Sequence, residues 1–442
     1  MATTYTPTIV TVNTTVTDAP TASQLQQSGA LISLGGTTLT EGTYQYCGDM
    51  DTLTEIIGTG GNEAEVTKMA TSFFAQGSSV GLYVLELGAQ SSIEAEISAL
   101  ETWITENSGV FYAYLVPADW DYGSDEVGSV TITSGGSGYT AAPTVTFSAP
   151  SSGTAATGTA IIQNGAVTGV TITSPGTGYT AAPTVTFSAP SSGTTATGTA
   201  SMVSALEVMA ANYESPNGKT YFFVTATTAN LSLYSGNKAI FALVNSPTAA
   251  STEYQAAAAF YQWLVNSPSA SNMLAPMAFR YLYSVTPWTL TGNKTTITTI
   301  LSDYGNVILT GAEGGISKSC LFKGMLADGS QASWWYGIDW FQIQVKQALA
   351  AAVINGSNSN PPLLYNQAGI NTLLSVIQGI ANSAVSFGCA ESITVSATSF
   401  TDYTTANPSN YKAGIYGGFS ATVVGQNGFL SITFNIDATQ IA

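Results

Sequence analysis

Apolar positions recur along this chain in two rhythms, and the switch from one to the other marks out its elements. Over residues 63–76, Val66, Met69, Ala70, Phe73 and Phe74 return every three or four positions, which predicts an amphipathic helix stopped at Gly77. Residues 80–87 are almost continuously apolar, as expected of a short strand covered on both faces. Ser92 can cap a following helix that runs to Glu106, with Glu94 and Glu96 near the positive end of its dipole and Ile93, Ile97, Leu100 and Ile104 on one face. Residues 110–116 predict another buried strand, 205–213 a helix, 220–225 and 239–244 two more strands, and 252–265 a helix carrying Tyr254, Ala258, Tyr261 and Val265 on one side. Strands alternating with helices of this length predict an α/β unit with a largely parallel sheet. Residues 49–61, which contain Gly58, Gly60 and Gly61, read as a turn-rich connection.

Beyond residue 271 the rhythm changes. Two long helices are predicted: 338–355, with Ile338, Phe341, Val345, Leu349 and Ala352 on one face, and a second after a cap at Asn366, with Ile370, Leu373, Leu374, Ile377, Ala381, Ala384 and Val385, ending at Gly388. Trp334, Trp335 and Trp340 are expected to pack the first of them against the α/β unit. Strand-type residues then return at Ile393, Val395, 421–424 and 430–436, and the other end of the chain alternates in the same way over 5–16.

Between the predicted strand at 110–116 and the helix at 205–213 lies a 32-residue unit present twice with a period of 40 residues, spanning 129–200. Its short alternating runs, such as Val130-Thr131-Ile132-Thr133 and Thr144-Val145-Thr146-Phe147, are punctuated by glycines and Ala-Pro, so each copy is expected to form a small antiparallel β unit, inserted in a strand-to-helix loop. Tyr139 and Tyr179 occupy the same place in the two copies, as repeated core anchors or as platforms for sugar rings.

Charge narrows the possible functions. Charged residues make up 8% of the 442, about a third of the roughly 25% usual in soluble domains. Residues 1–128 hold sixteen carboxylates against Lys68 alone, and residues 204–442 ten against eight bases, of which Arg280 is the one arginine. No clustered basic surface exists to track phosphates, so nucleic acid is not an expected partner. The 3 cysteines, Cys47, Cys320 and Cys389, are widely separated, which fits neither a disulfide framework nor a zinc site and suits a reducing compartment. Neither a signal peptide nor an apolar run long enough for a membrane helix is read from the chain.

The absence of histidine removes Ser-His-Asp and Cys-His catalysis and most transition-metal sites, and no phosphate-binding loop motif occurs. The acidic stretch Asp119, Asp121, Asp125 and Glu126 could coordinate Ca²⁺ or supply a carboxylate pair for glycoside hydrolysis, but its spacing departs from the EF-hand and a solvated turn explains it more simply. No enzyme, cofactor or metal is expected.

The order of these elements resembles that of the tail sheath subunits of contractile-tailed bacteriophages. Three passages carry the likeness: the N-terminal strand followed by EVTKMATSFFAQG and VGLYVLEL; the block through FYAYLVP, TYFFVT and AIFALV; and YGIDWFQIQVKQALAAAVI followed by PPLLYNQAGINTLLSVIQGIANSAVSFG. The resemblance implies an α/β sheath-like core, with a mixed sheet, flanking helices and extended terminal strands, interrupted by an all-β tandem-repeat domain. Its divisions would be an N-terminal arm and first part of the α/β domain at 1–128, the repeats at 129–203, the rest of the α/β domain at 204–295, and a C-terminal domain with two long helices and a terminal arm at 296–442. It further implies a non-enzymatic subunit of the virion tail, assembled in the host cytoplasm, that forms a helical homo-oligomer of stacked rings around a tail tube. Baseplate and tail terminator proteins would be its other partners, and contraction would drive the tube through the host envelope. The terminal arms would add strands to neighbouring subunits, through Ile9, Val10 and Val12 at one end and Ile432, Phe434 and Ile436 at the other.

Two other classes remain open at this level. A surface adhesin or glycan-binding virion protein would use the repeats as its working part, and an envelope-active hydrolase would need the carboxylates at 119–126. A tube or baseplate subunit is the nearest structural competitor, although the α/β pattern speaks against an all-β tube.

Overall fold

The computed structural model describes residues 22–122, 126–179, 181–215, 218–311 and 315–431. In chain order the first half of the α/β unit comprises β1 (Gly29–Ser33), β2 (Tyr44–Cys47), α1 (Met50–Ile56), α2 (Glu63–Phe74), β3 (Leu82–Glu86), α3 (Ile93–Glu106) and β4 (Ala113–Leu115). The repeats follow as β5 (Val127–Ser134), β6 (Val145–Phe147), β7 (Thr157–Gln163), β8 (Ala166–Ser174), β9 (Val185–Phe187) and β10 (Thr197–Met202). The α/β unit resumes with α4 (Ala205–Ala211), β11 (Tyr221–Ala226), β12 (Ile240–Val244), α5 (Gln255–Leu264), α6 (Lys294–Ser302), β13 (Val307–Thr310) and β14 (Ser319–Phe322). The chain closes with α7 (Ala332–Ser357), α8 (Gln367–Ser386), β15 (Ala390–Ala397), α9 (Phe400–Ala406), α10 (Pro408–Lys412) and β16 (Phe419–Gly425).

Among the described residues the main sheet has six strands in the order β12-β11-β4-β1-β3-β2, parallel except for β2 at one edge. Alternate side chains of each strand enter two separate cores. Leu31, Val84, Phe223 and Phe241 meet α2 and α5 on one face. Ile32, Tyr114, Phe222 and Ile240 meet α3, α4 and α6 on the other. With both faces covered, the strands need apolar residues at every position, which is why they read as continuous runs.

Several expectations hold at the level of single residues. Gly77 follows α2 at φ +153°. The Ser92 and Asn366 side chains accept from the Ala95 and Gly369 amides at 3.3 and 2.9 Å, capping α3 and α8. Others need correction. The predicted connection at 49–61 contains α1, whose cap is the Asp49 carboxylate accepting from the Thr52 amide at 2.9 Å. The central strand β1 carries no predicted element at all.

The first long helix begins at Ala332, six residues before the predicted start. Gly337 is helical, and a Cβ there would lie 2.2 Å from the Cys389 carbonyl. A glycine costs a helix about 1 kcal/mol, and here it permits a close crossing. The three tryptophans are also divided. Trp335 packs on the α/β core, whereas Trp340 joins α8 and β15, and the Trp334 indole lies over Gly425 of β16.

The two repeat copies do not fold as two units. β5 pairs with β10, β6 with β9 and β7 with β8, all antiparallel, so each of the three ladders joins one copy to the other. The bridges within a copy are isolated, Thr144 with Thr159 and Thr184 with Thr199.

Candidate assembly site

Two helices and a two-stranded sheet form the C-terminal part of the described chain. α7 and α8 pack side by side, and β15 and β16 pair antiparallel from Ala390–Gly425 to Ala397–Phe419. Alternation sets their two faces apart. Ile393, Val395, Phe419 and Val423 lie against Trp340, Phe341, Ile377 and Ala381, while Thr394 opposite Thr422 and Ser396 opposite Ser420 face outward. Among the described residues this sheet has only these two strands, so the outer edge of each offers its backbone groups to a further strand.

Both ends of the described chain are fastened beside this sheet, at the start of α7. The Gln26 side chain donates to the Tyr336 carbonyl at 3.0 Å and to the Tyr112 hydroxyl at 3.2 Å. Gln331, at the N-cap of α7, grips Gly428 in both directions, donating to its carbonyl at 2.9 Å and accepting from its amide at 2.8 Å. Gln26 and Gly428, near the two ends of the described residues, are therefore tied to the same two turns of helix. Phe429, 81% exposed, stands directly after the second anchor.

The start of α7 is itself locked to the main sheet by a buried carboxylate. Asp339 accepts from the hydroxyls of Tyr112 at 2.9 Å, Tyr221 at 2.6 Å and Ser215 at 2.5 Å. Burial pushes its pKa up to about 6, against the pull of those three donors. Burial likewise raises Tyr112 and Tyr221 well above the usual phenol range, so both are donors at any ordinary pH. Trp263 stacks on Tyr112 with ring centroids 5.7 Å apart, and Tyr336 stands edge-on to both. Such a group is a structural tie.

The acidic turn is structural too. Asp121 accepts from the Thr227 amide at 2.7 Å and the Tyr234 hydroxyl at 2.7 Å, tying the turn to the segment after β11. Neighbouring Trp120 donates to Glu96 at 2.7 Å and the Ala118 amide to Glu65 at 2.8 Å. Burial raises Glu65, Glu96 and Asp119 above the usual carboxylate range. Among the described residues no three His, Cys, Asp or Glu side chains are grouped to hold a metal, and Asp125 lies outside them. Tyr139 and Tyr179 are each 6% exposed, and their hydroxyls accept from the Ala196 and Ala156 amides at 2.9 and 2.8 Å. They are core anchors with no ring face free for a sugar.

The residues expected to form the arms, Ile9, Val10, Val12, Ile432, Phe434 and Ile436, lie outside the described residues. Sequence reasoning found the strands at 393–395 and 421–424 but not their pairing. It missed the anchors Gln26 and Gln331 and the Asp339 tie, whose partners lie 118 to 227 residues away along the chain.

No family model matches the chain, and no curated protein matches it in sequence. Solved structures do. A chain of the anti-feeding prophage baseplate, 6-fold symmetrised, is similar at a TM-score of 0.54 and 10% identity, covering 99% of this chain and 100% of that one. A chain of the same baseplate in its contracted state gives 0.49 at 11% identity over 99% of both. The sheath tail protein of Listeria innocua gives 0.40 at 11% identity over 90% of this chain and 94% of its own. The TM-score of 0.54 over nearly the full length of both chains shows a shared fold: this chain has the fold of a chain in the anti-feeding prophage baseplate.

Proposed function

We propose that this chain is the sheath subunit of a contractile tail, polymerising around a tube and contracting to drive it through a host envelope. The observation that carries the reading is the β15–β16 sheet, which has no third strand among the described residues, packed on the helix to whose start Gln26 and Gly428 are tied. Strand addition at such edges gives affinity through the backbone and specificity through alternate side chains. The alternating residues Ile9, Val10 and Val12 of one neighbour and Ile432, Phe434 and Ile436 of another suit that role. If extended, residues 1–21 span up to roughly 70 Å, enough to reach an adjacent subunit. Each subunit would thus give two strands and receive two, a head-to-tail contact that propagates as a helical tube. The likeness over the full length to a chain of a prophage baseplate supports the same reading.

The finer parts of the proposal follow. The tube, baseplate and terminator proteins are the partners, the virion tail is the location, and contraction draws on lattice rearrangement without nucleotide hydrolysis. The repeats at 129–203 form an inserted domain on the outside of the tube, dispensable for assembly. Val203 donates to the Glu126 carbonyl at 3.1 Å, so the strands leading in and out lie side by side and can be rejoined.

Electron microscopy of the purified chain tests this. The full chain should form hollow striated tubes, and so should a chain lacking 129–203. A chain lacking residues 1–21 should stay a folded monomer with an unchanged melting temperature. Identical tubes from that shortened chain would refute the arm mechanism, and discrete particles from the full chain under every condition, a tube template included, would refute the sheath.

A further inference from the structure

Positive charge and an unpaired amide meet in one cleft beside α7. It holds about 610 Å³, and Ile343, Lys346 and Gln347, whose spacing puts them on a single face of the helix, form part of its wall. Phe111, just before β4, Lys219, just before β11, and Leu25 also line it. No lining residue is acidic, although the chain has 26 carboxylates to 9 bases.

Three donors in this cleft lack a counterpart. Lys219 lies near enough to Asp339 to draw that carboxyl's pKa down, but Asp339 is already filled by the hydroxyls of Tyr112, Tyr221 and Ser215. Among the described residues neither the Lys219 nor the Lys346 ammonium forms an ion pair, and Gln347 Nε2 is buried without a hydrogen-bond partner. A buried donor left unpaired costs free energy. A carboxylate would answer all three, since it only accepts and carries the opposite charge.

The chain itself brings a carboxylate to this place. Leu25 lies three residues after Ala22, where the described chain begins, and the Gln26 bonds to Tyr112 and to the Tyr336 carbonyl hold that turn beside α7. In residues 1–40 the only charged side chain is Asp18, four residues before Ala22 and so within roughly 13 Å of it along the chain. Ala19-Pro20 favours an extended backbone between them, and Val16 and Pro20 match the apolar part of the lining.

We propose that Asp18 docks in this cleft of its own chain, its carboxylate between the Lys219 and Lys346 ammoniums and accepting from the Gln347 amide. An ion pair open to solvent adds little to stability. Its effect is on direction: the N-terminal arm departs from a fixed point beside α7, and its free part is residues 1–17, up to roughly 55 Å when extended. Ile9, Val10 and Val12 stay in that free part. The docking belongs to the single subunit and does not depend on polymerisation.

Lysine reactivity in the full chain, kept dilute, tests this. A carboxylate partner keeps an ammonium protonated, so Asp18 should slow acetylation of the cleft lysines by a limiting reagent, followed residue by residue by mass spectrometry. Asp18→Asn should raise the combined acetylation of Lys219 and Lys346 severalfold, Asp18→Glu should leave it near the parent rate, and Lys68, Lys294 and Lys412 should not change. Lys323, whose Nζ donates to the Leu301 carbonyl at 3.3 Å, reports that the subunit stays folded. Equal rates at Lys219 and Lys346 in parent and variants overturn the proposal. Carbodiimide coupling in a mixture of isotopically labelled and unlabelled chains identifies whose Asp18 is bound. It should join Asp18 to Lys219 or Lys346 within chains of one label, and links across labels overturn docking within the chain in favour of a neighbour's arm. Neither readout requires tubes, so the outcome stands apart from that of the sheath reading.

Discussion

Two of the sheets outside the repeats, the six-stranded sheet and β15–β16, use the same backbone chemistry to opposite ends. In the six-stranded sheet both faces are buried under helices, and even the outer edge of β12 is occupied: Val244 donates to the Asn306 carbonyl at 2.9 Å, and Ala327 to that of Ile240 at 2.9 Å. The β15–β16 sheet buries one face only, turns serines and threonines outward, and leaves both edges open among the described residues. An uncovered edge strand is normally a liability, and on β15 the one charge is Glu391. Here it lies beside the two anchored chain ends, and the liability becomes an address. The contrast separates what keeps the subunit folded from what makes it assemble, and substitutions should separate them too.

The largest effect on stability belongs to the closed sheet. Phe223 is 1% exposed and stacks on Phe241 at 4.7 Å, with Phe260 edge-on at 5.2 Å. Phe223→Ala should cost about 3–5 kcal/mol from lost burial plus the cavity, read as a lower denaturant midpoint at unchanged slope. Loss of assembly would follow only from loss of folded subunit. If Phe223→Ala left stability intact but stopped assembly, the division between the sheets would be wrong.

Next comes the tie between them. Asp339→Ala leaves the Tyr112, Tyr221 and Ser215 hydroxyls without their acceptor and should cost about 2–3 kcal/mol. Asp339→Asn, which keeps an acceptor, should cost less. The two also separate in pH dependence. Burial raises this carboxyl from an ordinary 3.8 to about 6, so between those values the folded state binds the proton and the unfolded chain does not. Stability from this group therefore falls as pH rises from about 4 to 6, and the penalty is fully present above that, on the order of 3 kcal/mol. Glu86 and Glu253, held below the usual carboxylate range by their hydrogen bonds although burial opposes them, act in the opposite sense and lose stability as pH falls through their folded values. Chemical denaturation of Asp339→Asn and the parent from pH 4.5 to 7.5 isolates the Asp339 contribution, and parallel curves would show that Asp339 does not titrate in this range.

What the sequence disclosed follows the same division. α2, α3, β11, β12 and α8 were legible because each buries a full stripe or a full strand, and burial writes periodicity. β1 was not, although Gly29–Ser33 is as long as β12 and as fully buried: its run includes Gly29, Ala30 and Ser33, whereas β12 reads IFALV. The first turns of α7 were not predicted, and the close crossing that Gly337 permits there is set by the Cys389 carbonyl 52 residues later. In the repeats periodicity identified the strands but could not choose their partners, because the two copies offer identical faces. The assembly site suffered most: Ile393 and Val395 announced a strand, whereas Gln26, Gln331 and Asp339 act through partners that no local pattern names.

The smallest effect on stability should fall on the open side, and it is the sharpest test of the contrast. Phe429 is a large apolar side chain, 81% exposed, fixed in place by the Gln331 grip on Gly428 just where the chain leaves towards residue 432. In the isolated subunit it buries almost nothing, so Phe429→Ser should shift stability by no more than about 0.5 kcal/mol. An exposed phenylalanine held at the start of α7, four residues after β16, is nevertheless the kind of surface an incoming strand would cover, and covering it is worth about 2 kcal/mol by apolar area. The protein concentration needed for tubes should then rise roughly tenfold or more, measured by sedimentation at constant salt, while the melting curve stays where it was. A destabilised subunit would mean that Phe429 belongs to the fold. Unchanged assembly would mean that the neighbouring chain does not pass this way.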